Sequence, residues 1–196
     1  MTDLKRRLAT APADIGSLHD TLVDAASRED ALDVSYRIID SPLGQLLLAR
    51  TPLGLVRVAF AGEGFDDVLS TLSTSISPRI LQATDALDDA ARAIDSYFAG
   101  DLHAVDLPVD LRLVEGFRRT VVEHLPSIAY GKTASYADVA AAIGSPKAVR
   151  AVGSACGHNP LPIVIPCHRV VRSDGSIGQY LGGAEAKRVL LALEAA

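Results

Sequence analysis

Hydrophobic positions along the chain change period twice, and those changes divide it into segments. Between residues 34 and 60, short apolar runs (34–39, 45–49 and 55–60) alternate with Ser41-Pro42-Leu43-Gly44 and Thr51-Pro52-Leu53-Gly54. Runs of that length between repeated Pro/Gly turns predict strands of an antiparallel meander. A helical period follows over 65–72 and again over 87–98, where Leu87, Ala90, Ala91, Ile94 and Phe98 share one face. Residues 105–109 return to an extended pattern, which completes a small α+β unit. Its acidic residues are scattered, and solvated surface accounts for them better than a catalytic constellation does.

The remainder reads as mostly helical. A helix over 114–124 points Phe117, Val121 and Leu125 inward, and Ala129-Tyr130-Gly131-Lys132 is a turn. Ser135 is placed to cap the next helix and Gly144 to end it. Ser145-Pro146 then opens another, with proline at its first position, running through Val149 and Val152 to about Cys156. Two short helices around a Gly-Ser-Pro turn predict a helix-turn-helix. Small residues (Ala148, Ala151, Gly153, Ser154, Ala155) line much of its second helix, so little bulk holds another backbone away. Ahead of residue 34, Leu18, Leu22, Ala25 and Ala26 sit at helical spacing among polar residues, which suggests a short amphipathic helix or a frayed tail. The expected divisions are an N-terminal extension over 1–32, an α+β domain over 33–109 and a second domain over 110–196.

At 196 residues and 48% hydrophobic content, the chain can bury one or two small cores. It has no apolar run of membrane-spanning length and no signal-peptide pattern, so a soluble cytoplasmic protein is expected. Cys156 and Cys167 make no disulfide framework, and their surroundings lack four zinc ligands, so no metal is expected. The net charge of -5 argues against nucleic acid until its distribution is considered. Residues 1–109 carry 9 Lys+Arg against 17 Asp+Glu, whereas residues 110–196 carry 10 against 7. The second half can face phosphates while acid is kept elsewhere. This asymmetry permits DNA binding without requiring it.

Candidate chemistry concentrates at 161–171, where an apolar run is broken by Pro166, presents Cys167-His168-Arg169 and resumes with Val170-Val171. Cations and an imidazole are the usual means of lowering a thiol's pKa from about 8.5. Chain neighbours on an extended segment point to opposite faces, however, so from these residues alone Cys167 reads as a buried structural cysteine. Its context changes that reading. Arg150-Ala151-Val152-Gly153, Asn159-Pro160, Ile165-Pro166-Cys167-His168-Arg169-Val170-Val171, a glycine-rich loop over 178–183, and a helix with Lys187, Leu190, Leu191 and Glu194 follow in order. This series closely resembles the O6-alkylguanine-DNA alkyltransferases, the methylated-DNA–protein-cysteine methyltransferases.

The resemblance implies a ribonuclease-H-like fold for the first domain and minor-groove docking of the helix-turn-helix. It makes Cys167 the alkyl acceptor, His168 the base acting through a bound water, and Glu194 the carboxylate that orients it. Asn159 would brace the turn, and Tyr136 would donate toward guanine N3 and help extrude the nucleotide. Arg150 would fill the gap left by the flipped base, with Ser135, Ala151, Gly153 and Ser154 at the DNA surface. Tyr180, Gly182 and Gly183 would wall the pocket, with Val170 against the alkyl group. Sulfur attack on an alkyl carbon gives a stable thioether, so each molecule would act once, and the lack of a nucleotide or metal motif agrees with no cofactor. The implied partner is double-stranded DNA carrying alkylated guanine, read without sequence preference by a monomer, with clustering on DNA left open. O4-alkylthymine would be a poorer substrate. Departures from the family pattern are Val122 at a usually aromatic position, Ile128-Ala129-Tyr130-Gly131, Ala137, and the absence of Trp. Two other readings are a non-catalytic alkyltransferase-like lesion binder and a cysteine hydrolase using Cys167 and His168.

Overall fold

The computed structural model describes residues 14–195. The meander forms as β1 (Val34–Ile39), β2 (Leu46–Thr51) and β3 (Gly54–Phe60), with Ile38 opposite Leu47 and Leu48 opposite Val58. β2 is apolar at consecutive positions because both faces of the sheet are covered. Leu47 and Ala49 pack under α2 (Phe65–Ser75) through Val68 and Leu72. Leu46 and Leu48 face α3 (Asp88–Ala99) and share one core with the helices of the second half.

A fourth strand, β4 (Ile80–Gln82), joins β1 in parallel, giving the order β3-β2-β1-β4. Its three residues are too few to show a period in the sequence. The 105–109 segment passes along β3, where Leu55 N–H donates to Pro108 O (2.8 Å) and Asp110 N–H to Leu55 O (2.7 Å). Gly54, at φ 144°, permits that approach, since a Cβ there would strike the Pro108 backbone.

The second half contains α4 (Gly116–His124), α5 (Tyr136–Ala142), α6 (Val149–Gly157) and the C-terminal α7 (Gly183–Glu194). α5 starts at a capping box, in which Ser135 Oγ accepts from Asp138 N–H (3.1 Å) and Asp138 Oδ2 accepts from Ser135 N–H (2.8 Å). Two expectations need correction. α6 does not open at Pro146; Ala148 N–H closes a turn onto Ser145 O (2.8 Å), Pro146 takes its second position, and the helix begins at Val149. Phe117 is not inward but 37% exposed, while Val121, Val122 and Leu125 are buried and Val114 is buried ahead of the helix.

The suggested amphipathic helix in the extension exists as α1 (Ile15–Arg28), capped by Asp14. None of its residues is buried, and Leu18 and Leu22 are 62% and 52% exposed. The earlier part of that extension, residues 1–13, lies outside the described residues.

The two halves meet where Phe60 of β3 packs edge-on against Tyr180 (5.7 Å between centroids). A Cβ on Gly182 would lie 2.7 Å from the Phe60 ring. Gly182→Ala is therefore expected to cost about 1–3 kcal/mol through overpacking. Adding Phe60→Leu should return part of that loss. Chemical denaturation of the two single variants and the double variant checks the coupling.

Candidate active site

The apolar run after Asn159 is not the extended segment its composition suggests. Pro160, Pro162 and Pro166 have no N–H to give a ladder, and the chain folds on itself, with Ile165 N–H donating to Leu161 O and Cys167 N–H to Ile165 O (both 2.8 Å). Ile163 takes φ 75°, a left-handed conformation that a β-branched residue rarely adopts. Asn159 holds this shape. Its Oδ1 accepts from Leu161 N–H (3.0 Å), and its Nδ2 donates to Ile165 O (2.9 Å) and to Cys167 Sγ (3.2 Å).

Cys167–Arg169 form one turn of 3-10 helix, in which all three residues are buried. The turn leads into β6 (Val170–Val171), paired in parallel with β5 (Ala134–Ser135). That short ladder fixes the Cys167 turn against Tyr136, the first residue of α5.

His168 Nε2 lies 2.8 Å from Glu194 Oε1. A carboxylate only accepts, so Nε2 carries the hydrogen and Nδ1 keeps a free lone pair. Nδ1 is buried without a hydrogen-bond partner. Glu194 is buried at the end of α7, where a carboxylate is otherwise disfavoured. Its Oε1 also accepts from Tyr97 Oη (2.6 Å) and Arg169 (2.9 Å), and its Oε2 from Arg169 Nε (2.8 Å) and Gly131 N–H (3.3 Å). Arg169 further donates to Ile128 O (2.6 Å) and lies over the Tyr130 ring.

Burial alone would raise the Glu194 pKa, but hydrogen bonds from His168, Arg169 and Tyr97 outweigh it and hold the carboxyl down to about 2. Burial depresses His168, against the pull of Glu194, so the ring rests neutral. Burial pushes the Cys167 thiol up to about 11, opposed by the Asn159 hydrogen bond and by the charge of Lys187. Lys187 is itself fully buried, donates to Val170 O (2.5 Å) and lies 5.9 Å from the Tyr136 ring centroid.

A cleft of about 920 Å3 opens between α6 and the segment 177–181. Tyr136, Arg150, Gly153, Ser154 and Tyr180 line it, as do His158 and Arg172. Arg150, Ala151 and Ser154 are exposed on α6. Cys167 is only 2% exposed and is not part of the lining. Burial, and then the charge of the Cys156 and Cys167 sulfurs, raise the Tyr136 hydroxyl, and burial followed by Cys167 raises Tyr180. Tyr136 packs so closely on Gly178 that a Cβ there would overlap its hydroxyl.

The remaining expected pocket residues lie elsewhere. Gly182 meets Phe60, and Gly183 starts α7 at φ 86° with no neighbour facing it. Val170 is fully buried and its carbonyl takes the Lys187 hydrogen bond, while the Ser135 side chain is occupied in the cap of α5. Tyr97, Arg169 and Lys187 were not anticipated as site residues. Tyr97 continues the helical spacing of Ala90 and Ile94, and a tyrosine buried there requires a polar partner. A second cavity, of about 440 Å3 and more apolar, lies beside Pro166, Arg169 and Val122, and Cys167 does not line it.

Fold and site together define a class: proteins in which a helix-turn-helix borders a cleft backed by a buried cysteine, its neutral histidine and a carboxylate. Within that class the chain belongs to the 6-O-methylguanine DNA methyltransferase family. Residues 34–111 match its ribonuclease-like domain, and residues 116–196 its DNA binding domain. The methylated-DNA–protein-cysteine methyltransferase of Mycolicibacterium paratuberculosis is 41% identical over 161 residues, 82% of this chain and 92% of the relative. The constitutive enzyme of that name from Bacillus subtilis is 37% identical over 160 residues, 81% and 94% of the two chains. The crystal structure of Mycobacterium tuberculosis O6-methylguanine methyltransferase superposes with a TM-score of 0.73 at 38% identity, covering 83% of this chain and 93% of that one.

The electrostatics predict the response to acid. His168, depressed in the folded state, takes up a proton more readily when unfolded, so stability begins to fall as pH drops below about 6.5. Glu194, at about 2 folded against 4.5 unfolded, contributes fully above 4.5 and loses that contribution as pH falls toward 2, roughly 3 kcal/mol in all. Melting temperature against pH should show both declines, and Glu194→Gln should make the lower one shallower.

Proposed function

We propose that this protein is a DNA repair methyltransferase that moves the alkyl group of O6-alkylguanine in double-stranded DNA onto Cys167. The observation that carries this reading is the unpartnered, buried Nδ1 of a neutral His168, the chain neighbour of a buried thiol that accepts from Asn159. At rest the sulfur is protonated and inert. Through a bridging water, His168 Nδ1 takes the thiol proton, and Glu194 stabilises the imidazolium that forms. Lys187 and the Asn159 amide stabilise the thiolate while it attacks the alkyl carbon. The S–C bond forms as the C–O6 bond breaks, and Tyr136 donates toward N3 of the departing purine. Overall the thiol proton passes to guanine and the alkyl group stays on sulfur. A thioether offers water no carbonyl to attack, so each molecule reacts once.

Recognition follows from the cleft. Exposed small residues of α6 let the helix approach a minor groove, and Arg150 occupies the stack from which the base is flipped. Affinity should fall with rising salt and depend little on sequence. A crystal structure of Mycobacterium tuberculosis OGT with DNA, 38% identical and with a TM-score of 0.72, supports DNA as the partner. Entry of the base requires the segment around Gly178 to separate from Tyr136. O4-alkylthymine is a poorer substrate in this reading, the protein acts as a monomer in the cytoplasm, and the divisions at 33–109 and 110–196 separate the two domains. Among the described residues no helix is long and apolar enough to cross a membrane.

The sealed position of the thiol favours a second reading, in which the lesion is bound without transfer. Mass spectrometry after incubation with an O6-methylguanine duplex separates the two. One methyl mass on the Cys167 peptide, in proportion to lesion supplied, is expected; unmodified protein bound to the lesion would replace transfer with recognition, and repeated turnover would indicate a hydrolase.

Arg150→Ala tests the flipping arrangement. It should slow repair of duplex DNA by about tenfold or more while leaving the reaction with free O6-benzylguanine near the parent rate. Equal losses on both substrates, compared in quenched time courses, would remove Arg150 from that role.

A further inference from the structure

We infer that Tyr97, contributed by the N-terminal half, is a positioning residue that acts through Glu194 and limits how strongly that carboxylate holds the His168 proton. The inference rests on the transfer reaction proposed above and adds a part to it. Tyr97 Oη donates to Glu194 Oε1 at 2.6 Å, the same oxygen that faces His168 Nε2 at 2.8 Å, and Oη lies 3.4 Å from that nitrogen. One carboxylate oxygen therefore serves two donors at the centre of the proton path, and Arg169 supplies a third at 2.9 Å. Each added donor draws electron density from the oxygen and lowers its affinity for a proton.

The tyrosine is built to remain such a donor. It is 1% exposed and gripped edge-on by Phe98 (5.6 Å) and Tyr130 (6.4 Å). Burial, then the hydrogen bond to Glu194 and its charge, push its own ionisation far above the usual range, so it stays a neutral hydroxyl throughout the working pH.

The charged and titratable groups around His168 are few. α7 supplies Glu194 and Lys187, its own turn Cys167 and Arg169, the loop Tyr180, and α3 Tyr97. Arg169 makes three hydrogen bonds to Glu194, so the carboxylate keeps its place when the tyrosine hydroxyl is removed. What changes is its basicity. Without that donor, Glu194 stabilises the imidazolium more, His168 protonates at higher pH, and the fraction of neutral base falls on the acid side. The N-terminal half thus tunes the reaction of a residue in the other half through one oxygen atom.

The test compares parent and Tyr97→Phe in single-turnover transfer from an O6-methylguanine duplex across mildly acidic to neutral pH. The acid limb of the rate profile should move up by about half to one unit, slowing transfer on that limb by about three- to tenfold. Duplex affinity should stay within about twofold, since Tyr97 does not line the DNA-facing cleft. A purely structural role would lower the melting temperature and leave the limb in place. Site-specific 3,5-difluorotyrosine at position 97, a stronger donor of the same shape, should move the limb the other way, and it decides the matter if Tyr97→Phe does not fold. A parent protein that transfers normally, with variants whose limbs coincide with its own, overturns the inference. A parent that methylates no cysteine overturns instead the reaction on which it rests.

Discussion

A single buried carboxylate holds the site together. Glu194 joins the end of α7 to the Cys167 turn through Arg169 and His168, to the 129–132 turn through Gly131, and to α3 through Tyr97. Removing an ion from water is costly unless its acceptor capacity is filled by donors of good geometry. Here the donors come from three separate segments, so the charge can be buried only when all three are in place. The same contacts that permit its burial give the imidazole its orientation and tautomer. Gly131, at φ 68°, is needed at this junction because a side chain would meet the last carbonyl of α7 at 2.7 Å.

The thiol is treated in the opposite way. It is kept neutral by burial, with one weak amide donor and one buried ammonium nearby. A protein with this reaction has reason to do so, since a standing thiolate would be consumed by any electrophile. Backbone strain at Ile163 accompanies the arrangement. Asn159 sustains it by satisfying Leu161 and Ile165 while aiming its remaining hydrogen at sulfur. The amide that braces the loop is the one that donates to sulfur, which couples the shape of the loop to the surroundings of the thiol.

The two tyrosines of the cleft wall pack in ways that serve two ends. Tyr136 opens α5, leans on Gly178 and receives the Lys187 ammonium beside its ring. Tyr180 joins the cleft wall to Phe60 of the sheet. The N-terminal half therefore does more than accompany the helix-turn-helix. Its sheet supports one wall of the cleft, and its helix α3 reaches the carboxylate behind the histidine.

Sequence by itself determined the local elements and the family. The meander, the Ser135 cap and the buried face of α3 follow from period and turn chemistry, and these depend on neighbours a few residues apart. The order of Arg150, Asn159, Cys167, His168 and Glu194 carried the resemblance, which the family comparison bears out at the level of the fold and family. Tertiary structure alone decided what was non-local. β4 exists because β1 offers an unpaired edge, α6 starts late because Pro146 serves a turn, and Gly182 answers to a phenylalanine far away in the chain. Tyr97 and Arg169 could be placed inside or beside a motif by spacing, but not against Glu194. A hydrogen bond between residues 97 positions apart is specified by packing of the whole core, and no local pattern records it.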